Sequence, residues 1–315
     1  MKSFLINSAI KVASKFVKKN RLTVLTYHQV GDINSAHNKL LLDVKLFEQH
    51  LIWLKKYFNV LGLKEAFQLL QAGRLPERAV VISIDDGYVD SFTTIFPLLK
   101  KHDLLASFFI ATAGIEEGYL WDELVSSAIM QAPTSSTSLS FSQQQFSLTT
   151  YNEKLSAINQ ITKIIKYASL EERKTLLEEL LLQTGVNKIR HQFLKREHIL
   201  KLHEAGMCIG AHTVNHPILA CESTETAEKE MLNSKITLES IIGDKVNFLA
   251  YPNGKPNKDF TELHQQQAKN CEFLAAFSTD WGCSSMHELF ALKRITLSDR
   301  IEFRFCIRLM LSYMS

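Results

Sequence analysis

The sequence predicts an α/β fold in which seven strands and the helices between them form a barrel. Short apolar, β-branched runs alternate with segments of helical periodicity, and this pattern favours a parallel sheet with helices outside it. The predicted strands are Thr23–Tyr27, Ala79–Asp85, Ala106–Ala111, Met207–Ala211, Val246–Tyr251, Phe273–Phe277 and Leu292–Leu297. Helices are predicted over Val44–Tyr57, Ser91–Lys101, Arg196–Ala205, Thr224–Ile242 and Asp259–Asn270.

Two segments depart from this alternation. Residues 117–191 are predicted as a mostly helical insertion in a single barrel domain that spans residues 22–315. Residues 1–21 have apolar side chains at helical spacing, among them Ile6, Ile10 and Val17, with lysines on another face. Such a basic amphipathic helix can pack on the barrel, lie on an anionic membrane surface, or act as an atypical signal.

Composition limits the class of protein. The 315 residues are 46% hydrophobic and 22% charged, as in an ordinary globular protein. Six basic residues and no acidic one lie in residues 1–21, so the remainder has 30 basic and 33 acidic residues. That balance argues against nucleic acid as a partner. Five cysteines without metal-motif spacing indicate free thiols in a reducing compartment, and we expect a cytoplasmic protein, at the inner face of the membrane if the helix binds there.

Two adjacent carboxylates lie at the carboxyl end of the second predicted strand. The run Val80–Ile84 leads into Asp85, Asp86 and Gly87. In a barrel of parallel strands the active site lies at the carboxyl ends of the strands. Because adjacent residues at a strand end point in different directions, one carboxylate can bind a metal while its neighbour faces the substrate. A strand-ending turn, which Asp and Gly also favour, is the alternative.

Two histidines follow the fourth predicted strand. His212 and His216 are four residues apart, and at that spacing two imidazoles can bind one divalent cation. Two surface histidines would give the same pattern. With a carboxylate from another strand end, however, they form a ligand set that suits Zn²⁺, Co²⁺ or Fe²⁺.

A third turn, Tyr251-Pro252-Asn253-Gly254, follows the fifth predicted strand. Proline and glycine are common in turns without any function. Such a turn can also direct a backbone N–H at an oxyanion.

At these three motifs the sequence resembles the polysaccharide deacetylase family of carbohydrate esterases, which includes chitin, peptidoglycan and nodulation-factor deacetylases. Ser83-Ile84-Asp85-Asp86-Gly87 matches the family's T-F-D-D-G motif, and His212 to His216 matches H-[ST]-x-x-H. The resemblance covers roughly residues 22–297 and implies a distorted (β/α)₇ barrel and metal-dependent deacetylation. It implies Asp86, His212 and His216 as metal ligands, most simply of Zn²⁺, and Asp85 as the general base.

The chain departs from the family at other motifs. Ala250 stands where R-x-P-Y-G has arginine, and Asn253 stands in place of its tyrosine. Arg294, on the last predicted strand, is the candidate to orient Asp85 instead. The backbone N–H of Asn253 still suits an oxyanion. Asp280-Trp281 resembles the family's Asp-Trp pair, whereas the C-terminal L-x-H motif has no match, because His287 lies in a polar segment.

Tyr27-His28-Gln29-Val30 supplies the missing histidine. It resembles the Y-H-x-[IV] motif of the branch that includes biofilm poly-N-acetylglucosamine deacetylases, which implies His28 as the general acid. The first and last strands of a barrel are neighbours, so a histidine from either can reach one metal. A buried core histidine is the alternative.

Other aromatic and histidine residues have open roles. Trp121 and Trp281 are candidates for stacking on a sugar, although single tryptophans are more often packing residues. Trp53 is expected in the core, and histidines in helical segments, such as His50 and His264, are expected at the surface.

The sequence thus predicts a metal-dependent hydrolase that removes N-acetyl groups from the amino sugars of a poly- or oligosaccharide. A carbohydrate-binding relative without turnover, and an amidase or deformylase acting on a small molecule, are the alternatives.

Overall fold

A mostly parallel barrel forms the body of the protein. The computed structural model describes Ile6, Ile10 and residues 19–32, 41–133, 136–186 and 192–314. Its strands are β1 (Leu22–Tyr27), β2 (Gln29–Gly31), β3 (Leu41–Asp43), β4 (Asn59–Val60), β5 (Ala79–Ile84), β6 (Ala106–Ile110), β7 (Ser138–Phe141), β8 (Gln144–Ser147), β9 (Cys208–Ala211), β10 (Phe248–Ala250), β11 (Ala275–Phe277) and β12 (Arg294–Ile295).

Seven of these strands form the barrel, in the order β11-β10-β9-β6-β5-β1-β12, and each neighbouring pair is parallel. Leu292, just before β12, joins the two ends because it forms a parallel bridge with Phe277. Val24 of β1 pairs with Arg294 of β12, so the first and last strands are neighbours. The predicted seven-stranded barrel is confirmed.

Helices surround the barrel. They are α1 (Val44–Tyr57), α2 (Leu63–Gln71), α3 (Phe96–Lys101), α4 (Ala113–Glu117), α5 (Trp121–Gln131), α6 (Tyr151–Lys166), α7 (Leu170–Thr184), α8 (Arg196–Glu204), α9 (Thr224–Ile242), α10 (Glu262–Asn270) and α11 (Glu302–Ser312). A π-helical turn, Ser91–Ile95, leads into α3. Asp43 begins α1, since its carboxylate accepts hydrogen bonds from the backbone N–H groups of Lys45 and Leu46.

Successive side chains of each strand point to opposite sides of the barrel wall. Val24, Val81 and Phe109 belong to one buried cluster, together with apolar side chains of α2. Leu25, Val80 and Ile82 belong to a larger cluster, which includes side chains of the surrounding helices. Continuing this period of two past the end of β5 places Asp85 on the same side as Val81.

The segment predicted as an insertion contains α5, α6 and α7, which pack with the β7–β8 hairpin around a cluster of their own. The hairpin is absent from the sequence-based prediction. Its apolar side chains Leu139, Phe141 and Phe146 alternate with polar ones that face outward, so its composition is polar overall. The domain boundaries themselves remain a prediction.

The amino-terminal segment is only partly described. Ile6 and Ile10 are helical and buried in the main core cluster, and the rest of residues 1–18 lies outside the described residues. Within the described ranges, no helix has both the length and the apolar character needed to cross a membrane.

His50 and His264 are buried, contrary to the prediction that they lie at the surface. His50 can be buried because both of its ring nitrogens have polar partners. Its Nδ1 lies 3.0 Å from the Tyr27 hydroxyl, and its Nε2 lies 2.8 Å from the carbonyl of Asp299. Its ring packs against Trp53 and Phe305, and burial lowers the pKa of His50 to about 4. Trp53 is in the core, as predicted.

Candidate metal centre and active site

The predicted site residues follow the carboxyl ends of different barrel strands. His28 follows β1, Asp85 and Asp86 follow β5, His212 follows β9, and the turn containing Asn253 follows β10. Because the strands are parallel, these ends lie at the same face of the barrel. The structure therefore assembles one site from segments that are far apart in sequence.

Asp86, His212 and His216 form a candidate metal centre. Each offers a ligand atom, and these atoms lie within 4.8 Å of one another. The Nε2 atoms of His212 and His216 lie 3.5 and 3.6 Å from Oδ1 of Asp86. The Nδ1 of His212 lies 2.7 Å from the carbonyl of Ala250, which can only accept, so Nδ1 carries the proton and Nε2 is free to bind a metal.

The charge states of Asp86 and His216 suit a cation. Burial alone would raise the pKa of Asp86, but the neighbouring imidazoles of His212, His28 and His216 hold it well below its usual range. Burial and the charge of His212 lower the pKa of His216 to about 3, so its imidazole is neutral near pH 7. An ionised carboxylate and neutral imidazoles are the forms that bind a divalent metal.

The backbone at this site adopts a conformation that few side chains favour. Asp86, Thr213, His216 and Asn253 have φ values of 75°, 66°, 51° and 57°. Residues held at positive φ cluster at functional sites, where the surrounding structure overcomes the strain. Gly87 has φ 99°, and a side chain there would meet Ile110 at 2.9 Å.

Arg294 contacts Asp85 inside the barrel. Its Nη1 lies 2.8 Å from Oδ1 and 2.7 Å from Oδ2 of Asp85, and both side chains are almost fully buried. Its Nε donates to the carbonyl of Ser278 at 3.0 Å. Arg294 therefore lies at the expected salt-bridge distance, although one nitrogen, rather than a two-nitrogen fork, contacts both oxygens. Its part in catalysis remains a prediction.

The loop between the two histidines is held from both sides. Oε2 of buried Glu230, on α9, accepts hydrogen bonds from the backbone N–H groups of Val214 (2.9 Å) and Asn215 (2.8 Å). Its Oε1 accepts one from Nδ2 of Asn215 at 2.7 Å. Nη1 of Arg173, on α7, donates to the carbonyls of Asn215 and His216 at 3.2 and 3.4 Å. No motif in the sequence singles out Glu230 or Arg173.

Replacing Glu230 by glutamine is expected to weaken metal binding by about 10- to 100-fold, the usual effect of losing a residue that orients a ligand. Both carboxylate oxygens face N–H donors, so either orientation of the amide would place its NH₂ group against a donor. Glu225→Gln is the matched control, because Glu225 lies exposed on the same helix and contacts Lys229. Isothermal titration with Zn²⁺ measures the effect; equal affinities in the two variants would contradict this account of the loop.

The turn after β10 is only partly as predicted. Tyr251 is fully buried, donates a hydrogen bond from its hydroxyl to the carbonyl of Phe290 and stacks on Phe260, so its side chain packs in the core. Pro252 is also buried. Asn253 is half-buried, and its backbone N–H donates to none of the described residues. That N–H therefore stays a candidate for an oxyanion.

His28 lies next to the metal centre. It is half-buried and close enough to Asp86 and His216 to lower the pKa of each. Tyr27 beside it points into the core towards His50. The structure thus brings His28 to the site but leaves its role as a prediction.

The two candidate tryptophans differ in their surroundings. The guanidinium of Arg173 lies 4.6 Å from the centroid of the Trp121 ring, which occupies one face of that ring. Trp281 is 40% exposed, and Arg308 lies 5.7 Å from its ring centroid. Sugar stacking remains a prediction for both, and the contact with Arg173 favours a positioning role for Trp121.

Two further carboxylates lie near the centre. Burial, together with the charge of Asp86, raises the pKa of both Asp90 and Asp122 to about 6. Asp90 accepts a hydrogen bond from the backbone N–H of Val30 at 2.6 Å. Trp121-Asp122 was noted in the sequence as a pair, whereas nothing in the local sequence singles out Asp90.

Sequence comparison relates the chain to known proteins. The family profile described as polysaccharide deacetylase matches residues 72–178 and 182–273. The Bacillus subtilis protein YxkH, assigned by name to the polysaccharide deacetylases, is 22% identical over 287 residues, which cover 90% of this chain and 74% of YxkH. A poly-beta-1,6-N-acetyl-D-glucosamine N-deacetylase of Staphylococcus aureus is 30% identical over 113 residues, which span 32% of this chain and 39% of that protein.

Solved structures share the fold. The Streptococcus pyogenes deacetylase PplD, in complex with acetate, superposes with a TM-score of 0.63 at 19% identity and covers 92% of this chain and 98% of its own. IcaB from Ammonifex degensii superposes with a TM-score of 0.61 at 15% identity, covering 94% and 97%. The profile match extends over more than half of the sequence, including Asp85, Asp86, His212 and His216. The chain belongs to the polysaccharide deacetylase family.

Proposed function

We propose that this protein is a metal-dependent hydrolase that removes N-acetyl groups from the amino sugars of a poly- or oligosaccharide. Its family makes it a carbohydrate deacetylase, as the sequence predicts. The observation that carries the proposal is the buried Asp85–Arg294 pair adjoining the Asp86, His212 and His216 cluster. The staphylococcal relative, whose name specifies N-deacetylation of poly-N-acetylglucosamine, supports an N-acetylated amino sugar as substrate.

Asp86, His212 and His216 would hold the metal, for which Zn²⁺ is our first choice and Co²⁺ or Fe²⁺ the alternatives. Two imidazoles and one carboxylate leave open positions, as in catalytic rather than structural sites. A bound divalent ion supplies Lewis acidity, which polarises a carbonyl and lowers the pKa of a water molecule.

The chain's own residues supply the remaining chemistry. Asp85 accepts a proton from the attacking water, and Arg294 holds the carboxylate in orientation for it. The backbone N–H of Asn253 donates to the oxygen that becomes negative. His28 gives a proton to the nitrogen of the amine as the carbon–nitrogen bond breaks, so the products are acetate and a free amino sugar.

The direct test is acetate release from N-acetylated glucosamine oligomers by purified protein supplied with Zn²⁺ or Co²⁺. A panel that includes O-acetylated sugars, formamides and small acetamides separates the proposal from an amidase or deformylase. Release from the small amides but from none of the saccharides would reject the proposed substrate class.

His28→Ala is expected to lower kcat by about 10²–10⁴-fold, the usual contribution of a general acid, while metal content stays unchanged. The basic limb of the pH–rate profile should disappear with the group that must be protonated there. Steady-state kinetics and metal analysis measure the two effects. Near-normal turnover would assign His28 to packing, and loss of the metal would assign it to ligation.

A further inference from the structure

The insertion reaches the candidate metal centre through one buried side chain. Arg173, near the start of α7, is 3% exposed, and its Nη1 donates to the carbonyls of Asn215 and His216 at 3.2 and 3.4 Å. These two carbonyls belong to the peptide groups on either side of the His216 Cα. One guanidinium nitrogen therefore holds the main chain both before and after this candidate ligand.

The main chain of His216 needs such support. Its φ of 51° lies in the left-handed region, which a residue with a side chain adopts only where the surrounding structure holds it. Its N–H donates to Oγ1 of Thr213 at 3.1 Å, a contact within the same loop. Arg173 instead ties the loop to a separate part of the fold. A change in φ or ψ at His216 would turn its Cα–Cβ bond and carry the imidazole away from Asp86.

Trp121, at the start of α5, fixes the guanidinium in turn. The Cζ of Arg173 lies 4.6 Å from the centroid of the Trp121 ring. The ring packs, as do Leu176 and Leu177 of α7, against the insertion's own apolar cluster. A planar guanidinium that stacks on an aromatic ring has little freedom to turn. The core of the insertion therefore determines where Nη1 lies.

Two carboxylates outside the insertion keep the start of α7 against this loop. The backbone N–H of Leu170 donates to Oε1 of Glu222 at 2.9 Å, in the segment that follows the histidines. Burial lowers the pKa of Arg173 to about 10, whereas the charges of Glu222 and Glu230 oppose that shift. Arg173 is therefore a cation near neutral pH, and its attraction to these carboxylates holds it at the loop.

We infer that Arg173 and Trp121 are positioning residues through which the insertion orients His216 for the metal and so sets the metal affinity of the barrel. This inference rests on the metal centre of the proposed function. It gives the insertion a role in assembling the site, separate from any contact with the saccharide. Stacking of Trp121 on a sugar is the competing role, and it predicts a change in KM without a change in metal affinity.

Arg173→Met removes the charge and the donors but keeps an apolar side chain against the ring. Isothermal titration of metal-free protein should show a Zn²⁺ affinity lower by about 10- to 100-fold, the usual effect of losing a residue that orients a ligand. The visible absorption spectrum of the Co²⁺-loaded protein should also change, because it reports the geometry of the ligands. A residue that only stabilised the fold would lower the melting temperature and leave both quantities unchanged in the folded protein.

Two further variants test the chain of contacts. Arg173→Lys should recover part of the affinity, since an ammonium can donate to one of the two carbonyls. Trp121→Leu should weaken Zn²⁺ binding, and adding it to Arg173→Met should weaken binding little further, because the ring acts through the guanidinium. These two variants also decide the question if Arg173→Met does not fold.

The matched control is Lys174→Met, at the exposed next residue of the same helix. It should bind Zn²⁺ as wild-type protein does. Equal affinities and equal Co²⁺ spectra in Arg173→Met and Lys174→Met would overturn the inference, as would wild-type affinity in both Arg173→Lys and Trp121→Leu. If wild-type protein itself binds no Zn²⁺, the proposed metal centre fails instead.

Discussion

His212→Ala is expected to lose the bound metal and, with it, deacetylation, by at least roughly a thousandfold, since changes to residues that merely orient a ligand already cost 10- to 100-fold. His212 is 2% exposed, its Nδ1 is committed to the carbonyl of Ala250, and its Nε2 is one of the three ligand atoms that cluster among the described residues. Alanine removes that ligand and leaves a void that the neighbouring backbone cannot fill.

Metal content after dialysis and acetate release measure the two losses together. His287→Ala is the control, because His287 is exposed and lies outside the site. It should behave as wild type. Stoichiometric metal and normal turnover in His212→Ala would remove this residue from the centre.

Asp85→Asn is expected to lower kcat by about 10²–10⁴-fold and to leave the metal bound. Asparagine has nearly the same volume but cannot accept the proton. It also leaves the Arg294 guanidinium buried without a counter-charge, and breaking a buried pair in this way costs about 3–5 kcal/mol of stability. The melting temperature should therefore fall together with kcat.

Two further variants distinguish the effect of breaking the Asp85–Arg294 ion pair from the effect of an Asp-to-Asn substitution elsewhere. Arg294→Lys should lower kcat, because an ammonium cannot contact both Asp85 and the carbonyl of Ser278 in the geometry of a guanidinium. The loss should be smaller than in Asp85→Asn, because the lysine variant keeps both the base and a positive charge beside it. Asp103→Asn, at an exposed carboxylate 4.0 Å from Lys55, should change neither kcat nor stability appreciably. Normal turnover in Asp85→Asn would exclude it as the base.

The barrel could be predicted because its strands are buried on both sides. Ala79–Ile84 is a continuous apolar run apart from Ser83, and such runs are typical of parallel strands. Strand ends were predicted too long, as in Val246–Tyr251 against the observed Phe248–Ala250. Val246 and Tyr251, at the ends of the predicted strand, are buried in the core as loop residues, which hydrophobicity alone does not distinguish from strand.

The candidate site was predictable where chemistry is concentrated in short motifs. Asp86, His212 and His216 lie in two such motifs. Arg294 could be predicted because Ala250 stands where the family's motif has arginine, so another arginine was sought. Glu230 and Arg173 could not, since each is an ordinary helix residue until the fold brings it to the histidine loop. The burial of His50 could not be predicted either. The Phe305 ring that packs against it lies 255 positions later in the chain, and no local sequence pattern predicts that contact.

The most direct test of the proposed metal-dependent deacetylation is a titration of metal-free protein with Zn²⁺, in which acetate released from an N-acetylglucosamine oligomer is measured at each addition. We predict no release without metal, a rise to a plateau at one equivalent per chain, and no rise in His212→Ala. Full acetate release by protein verified to be free of metal would contradict the account.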